Sequence, residues 1–168
     1  VLDPHDFLRG AIRPALARLR LGGAAAERLL LGTALTESGL VHLRQAGGGP
    51  ARGLYQIEPA THRDLWRSYL AYRPVVAARL LRLAAPGAPG APGAPGESQL
   101  VWNLAYATGV ARLIYRRRPE PLPAAADLEG LARYWKAHFN SAAGRGRAAD
   151  FLRRAGPLLN ALIEEETA

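Results

Sequence analysis

Along most of this chain apolar residues recur at steps of three and four, the spacing that gathers them on one face of an α-helix. Phe7, Leu8, Ile12, Leu16 and Leu19 form the first such series, and Asp3 followed by Pro4 supplies an N-cap and first-turn pair ahead of it. Leu29, Leu30, Ala34 and Leu35 predict a second helix from about Ala24. It should end near Gly39, because glycine accepts the left-handed conformation that terminates helices. The same periodicity predicts helices over about 61–70, 75–83, 99–116, 128–139 and 149–163. Near residues 41–58 it breaks: Gly47, Gly48 and Gly49 run consecutively among short alternating segments, so irregular chain or a small β-hairpin is expected there. The expected class is mostly α.

Composition sets the scale. The chain has 168 residues, 49% hydrophobic and 21% charged, which excludes wholesale disorder and fits a single domain. Residues 85–96 read Ala-Pro-Gly four times, too few triplets for a triple helix and too rich in proline for helix or sheet. An extended loop insertion is expected, and neither flanking part is large enough to build a comfortable core alone. There is no cysteine. No uncharged stretch approaches the roughly 20 apolar residues of a membrane span; residues 98–111 come nearest and contain Gln99 and Asn103. The opening Val-Leu-Asp-Pro-His-Asp lacks the basic segment and apolar run of a secretory signal, so export by the general pathway is not expected.

The net charge is +8, and Lys136 is the only lysine among the 22 basic residues. Such a chain-wide choice of arginine reads either as coding bias or as preference for a polyanion. The densest cluster, Arg116, Arg117 and Arg118, meets Pro119 at once, as expected of a solvated helix end; nucleic acid is not the expected partner. His5, His42, His62 and His138 form no metal-ligand spacing, and Gly47-Gly48-Gly49-Pro50 lacks the Lys-Ser or Lys-Thr of a phosphate loop. No metal and no cofactor are implied.

Chemistry concentrates on one carboxylate. Glu37 sits at the end of a nearly all-apolar helix, where partial desolvation and the negative end of the helix dipole both favour the neutral acid. A carboxyl group protonated near neutral pH is what general acid catalysis requires. The other reading is a solvated Glu in a last helical turn.

Sixteen positions further on, Gly53-Leu54-Tyr55-Gln56-Ile57-Glu58-Pro59-Ala60-Thr61 follows Thr36-Glu37-Ser38-Gly39-Leu40. Together these segments resemble the soluble lytic transglycosylases, whose pattern is Glu-Ser and then Gly-Leu-Met-Gln-Ile-x-Pro-x-Thr. They also resemble goose-type lysozymes and lysozyme-like proteins of bacteriophages. The matching stretch, 29–66, is about a quarter of the chain. Ala137-His138-Phe139-Asn140-Ser141 loosely resembles the family's Ala-Tyr-Asn-Ala-Gly motif, with Phe139 where the family has Tyr.

The resemblance implies a lysozyme-like fold and cleavage of the bond between N-acetylmuramic acid and N-acetylglucosamine in peptidoglycan. Glu37 would be the acid, with Ser38 supporting it. Gly53 would let the backbone approach the sugar, Gln56 would hydrogen-bond the substrate, and Tyr55 would line the cleft unless it merely packs in the core. The family's Tyr hydroxyl, which contacts the acid, would come from Tyr106 or Tyr134. Phe139 and Asn140 would border the substrate. Glu58 has two readings: facing the cleft it positions water for hydrolysis, and turned outward it caps a helix or meets an Arg, leaving the sugar's own 6-hydroxyl to form an anhydro product. A virion-associated protein, or a cytoplasmic one released to the wall, is the implied setting.

Aromatic rings offer stacking surfaces for sugars. Trp66 and Trp102 fall on apolar helical patterns and are expected in the core, while Trp135 beside the third motif is balanced between core and cleft. Two competing functions stay open: a non-catalytic lysozyme-like scaffold or wall-binding module, and an Arg-rich nucleic-acid binder.

Overall fold

The computed structural model describes residues 1–86, 94–140 and 146–167. The chain is mostly α-helical, as its periodicity predicts. The first helical run begins as α1 (Pro4–Phe7), where Asp3 accepts hydrogen bonds from the backbone N–H groups of His5 and Asp6. It widens into a π-helical turn at Leu8–Ile12 and continues as α2 (Arg13–Leu19). Pro14 explains the widening: its ring would strike the carbonyl of Gly10 in a regular α-helix, and the wide turn, with Arg13 N–H bonded to Leu8 O, relieves the clash.

The central element is α3 (Ala24–Ser38), apolar on all sides and buried along most of its length. It packs against α7 (Leu104–Arg116), α8 (Leu128–His138) and α9 (Ala148–Thr167). Gly32 sets how closely α9 approaches, since a Cβ there would lie 2.2 Å from the Phe151 ring. Between these come α4 (Pro59–Ser68), α5 (Pro74–Leu81) and the single turn α6 (Gln99–Trp102).

The predicted helix over 99–116 is in fact two helices. Asn103 leaves helical geometry (φ −97°, ψ 90°), and its side chain caps α7 by accepting from Tyr106 N–H. The break has a consequence for Trp102, expected in the core but 55% exposed: with α6 reduced to one turn, Leu100 takes the inward side and Trp102 faces solvent. Trp66 is buried as expected.

Residues 43–57 form a minimal hairpin with isolated antiparallel bridges, Arg44 to Arg52 and Arg52 to Ile57. Arg52 and Ile57 exchange both backbone hydrogen bonds, and Gln56 N–H closes a tight turn onto Gly53 O. This turn pushes Leu54 and Tyr55 into the core and leaves Gln56 outside it.

Buried side chains from both sides of the Ala-Pro-Gly repeat belong to one hydrophobic cluster. Of the repeat itself, expected as a loop insertion, residues 87–93 lie outside the described residues. Ala85 N–H is held by Gln99 Oε1 at 2.7 Å, so the first residue of the repeat is anchored to α6. Among the described residues no helix is long and apolar enough to cross a membrane.

Candidate active site

Glu37 occupies the last turn of α3, two residues before Gly39, which ends the helix in the left-handed conformation at φ 62°. Helix ends leave carbonyls without partners, and here Thr36 O gains one from a side chain. Arg154 on α9 donates to Thr36 O at 2.6 Å, and Ser38 Oγ donates to Ala34 O. The Ser38 hydroxyl also accepts from Leu40 N–H at 3.2 Å. Ser38 is thus spent on the helix terminus; its support of Glu37 is confined to fixing the turn that carries it.

The Glu37 side chain is half-buried and reaches the wall of an open cleft of about 670 Å³. Trp135 Nε1 on α8 donates to Glu37 Oε1 at 3.0 Å, and the Asn140 side chain makes a second hydrogen bond to the carboxyl group. Lys136 Nζ donates to Asn140 Oδ1 at 3.0 Å, which turns the amide nitrogen of Asn140 towards Glu37. Burial pushes the Glu37 carboxyl up from its ordinary 4.5 to about 7, outweighing the bonds from Trp135 and Asn140 and the charge of Arg154, each of which pulls it down. The group is an acid poised to exchange its proton near neutral pH.

Gln56, Glu58, Phe139 and Asn140 line the same cleft as Glu37. Gln56 is held in a left-handed conformation (φ 48°) with its Nε2 donating to Gly53 O at 2.8 Å, so its Oε1 is turned outward. Glu58 precedes α4 at the N-cap position, but its side chain makes no capping bond, and it forms no ion pair among the described residues. It is an exposed carboxylate on the cleft wall, so the outward capping or Arg-paired reading is set aside.

Five residues considered for the cleft have other roles. Tyr55 is 1% exposed, and its hydroxyl pairs with Thr108 Oγ1 at 3.1 Å, so it packs in the core and does not line the cleft. Tyr106 is equally sealed, bonded to His62 and Trp66. Tyr134 donates its hydroxyl to Glu120 O. Neither tyrosine supplies a hydroxyl to Glu37; the indole of Trp135 and the amide of Asn140 occupy that role. Trp135 is buried and offers no face to a sugar, acting on the acid from behind. Gly53 has φ 70°, and a Cβ there would lie 1.8 Å from Leu100 O, so glycine is required by the protein's own backbone and not by a sugar.

Compared with family models, curated proteins and solved structures, the chain matches none. What the site can do therefore rests on its own geometry. Ser141, part of the third motif, lies outside the described residues.

Sequence reasoning missed several cleft residues. His42, Arg44, Thr61, Arg117 and His138 line it, and Arg154 acts on Glu37 from α9. His138 and Thr61 lay inside quoted motifs, a usable signal. Nothing local marks Arg154, whose partner is 118 residues away in sequence. Tyr115 was also missed. It stacks on Phe139 with ring centroids 5.3 Å apart, and its hydroxyl bonds Thr33 one helical turn before Glu37. Among the described residues no group of three or more His, Asp or Glu side chains is arranged to hold a metal.

Proposed function

We propose that this chain cleaves the glycan strands of peptidoglycan between N-acetylmuramic acid and N-acetylglucosamine, with Glu37 as general acid in a lysozyme-like fold. The observation that carries the reading is the placement of Glu37: on a cleft, half-buried, held by Trp135 and Asn140, with its proton retained to about pH 7. Support also comes from the paired motifs, since the Glu-Ser turn and the Gln56 and Glu58 wall meet at one cleft although sequence separates them. Arg44, Arg117 and Arg118 on its lining and the +8 net charge suit an anionic wall.

The chemistry follows from the carboxyl group. Its proton passes to the glycosidic oxygen as the bond from that oxygen to the anomeric carbon breaks, leaving an oxocarbenium-like sugar. Because Oε1 already accepts from Trp135, the transferable proton rides on Oε2. Glu37, now ionised, is stabilised by the Trp135 and Asn140 donors and by Arg154. Glu58, exposed and without an ion-pair partner among the described residues, supports water as the incoming nucleophile, which gives a reducing end. An intramolecular attack by the 6-hydroxyl would give an anhydro end instead.

The test is release of soluble fragments from purified peptidoglycan by wild type and by Glu37→Gln, with the products weighed by mass spectrometry. General acids contribute roughly 10²–10⁴-fold, so Glu37→Gln is expected to lose activity by about 10³-fold. Equal activity in the two proteins removes Glu37 as the acid, and inactivity of both at every pH leaves a wall-binding scaffold as the better reading. Reducing ends assign the reaction as hydrolysis, and anhydro ends as transglycosylation.

A further inference from the structure

A second cavity, of about 440 Å³, opens on the far side of the Arg116-Arg117-Arg118 ridge at the end of α7. Five arginines line it, Arg73, Arg79, Arg116, Arg117 and Arg118, and among the described residues no carboxylate does. Their existing commitments are few. Arg117 pairs with Asp64 at 2.9 Å, and Arg79 donates to Leu19 O at 3.3 Å. Arg73, Arg116 and Arg118 form no ion pair among the described residues. Nε of Arg117 is buried without a hydrogen-bond partner among the described residues, a donor whose desolvation none of them offsets.

Gathering like charges around a concavity is unfavourable unless something negative enters it, and guanidinium forks match the tetrahedral oxygens of phosphate. The walls narrow the choice further. Tyr69 is the one aromatic ring among the described residues of the lining, and the Arg73 guanidinium already sits over it, 4.1 Å from the ring centroid. The lining thus offers little of the free aromatic stacking surface on which single-stranded nucleic-acid sites draw. Val76 adds a small apolar surface instead.

We propose that this cavity binds the phosphate group of a non-aromatic phosphodiester, the repeating unit of a polyol-phosphate polymer. Arg117 and Arg118 line both this cavity and the Glu37 cleft, so the ligand would lie beside any strand held there. The site stands on its own arginines, whatever the cleft cleaves.

The test is calorimetric titration of the full chain with poly(glycerol phosphate), inorganic phosphate and a ten-residue oligothymidylate, each at 50 and 200 mM salt. The variant Arg73→Gln/Arg116→Gln serves as the control, because both side chains are exposed and neither lines the Glu37 cleft. Poly(glycerol phosphate) is expected to bind the wild type at least tenfold more tightly than the variant, with inorganic phosphate binding weakly at the same site. Equal binding by wild type and variant, with unchanged thermal unfolding, overturns the proposal. So does tighter binding of the oligothymidylate, which would assign the arginines to nucleic acid. Glycan cleavage on phosphate-free peptidoglycan reports separately on the Glu37 cleft.

Discussion

Two tryptophans make the same kind of bond in two different places. Trp135 Nε1 donates to Glu37 Oε1 at 3.0 Å, and Trp66 Nε1 donates to the Tyr106 hydroxyl at 3.0 Å. An indole can only donate, so each of these two bonds has a fixed direction. Tyr106 accepts from Trp66 and shares a 2.7 Å hydrogen bond with His62 Nε2, in which either group can donate. That chain is sealed: Tyr106 and His62 are buried, and burial holds the His62 ring below its ordinary 6.5. The Glu37 network ends instead on a cleft, on a group that can gain and lose a proton within reach of a ligand. Donor and distance are alike in both. What separates a structural clasp from a chemical site is the acceptor and its access to the outside.

The largest expected effect tests that distinction through stability. Glu37 titrates near 7 in the folded chain and near 4.5 unfolded, so its contribution is fully present below pH 4.5 and is lost as pH rises through 7. At about 1.4 kcal/mol per pH unit, the ionised group costs roughly 3 kcal/mol at high pH. Glu37→Gln is therefore expected to be more stable than wild type by about 3 kcal/mol at pH 8.5 and nearly equal to it at pH 4, measured by urea unfolding. His62 runs the other way: its folded value lies below 6.5, so its contribution is present above 6.5 and lost as pH falls. An equal gap between variant and wild type at both pH values would show that Glu37 is not desolvated by the fold.

Tyr106→Phe comes next in size. It removes the acceptor for Trp66 and the hydrogen-bond partner of His62 while keeping the ring, leaving buried polar groups unsatisfied. The expected cost is about 2 kcal/mol of folding stability. The pH dependence of the proposed glycan cleavage should not move, because Tyr106 does not line the cleft. A shifted profile would place Tyr106 back at the site, as the motif comparison expected.

How much of this was legible in the sequence depends on how far each contact reaches. The end of α3 at Gly39, the start of α1 at Asp3 and Pro4, and the irregular chain before Pro59 all rest on neighbours in sequence, and all were readable. Glu37 was readable because it stands alone in an apolar run. Tyr55 and Tyr106 were misplaced for one reason: a phenol on an apolar pattern reads alike whether its hydroxyl meets a ligand or a buried Thr or His. Trp135 and Arg154 reach the Glu37 turn across 98 and 118 residues, and no local pattern encodes such a meeting. The split of the 99–116 helix turned on Asn103, whose capping preference an otherwise unbroken apolar period concealed.

The smallest expected effect is the most discriminating, because it applies one substitution to both indoles. Trp66→Phe and Trp135→Phe each delete an N–H donor and some buried ring, so each should cost comparable stability, about 1–2 kcal/mol. Their effects on Glu37 should differ. The Trp135 bond favours the ionised carboxylate, so its loss leaves burial less opposed, and the Glu37 carboxyl should titrate at higher pH than in the wild type. Trp66→Phe should leave that titration where it is. Carbon-13 NMR of the Glu37 side-chain carboxyl reads the value directly, without relying on activity. Two equal shifts would mean that both substitutions act by loosening the whole fold; no shift in Trp135→Phe would mean that the indole holds Glu37 in place without tuning its proton. A shift confined to Trp135→Phe ties the acid's proton affinity to one donor on α8, and the descending limb of the proposed cleavage should then move to higher pH by the same amount.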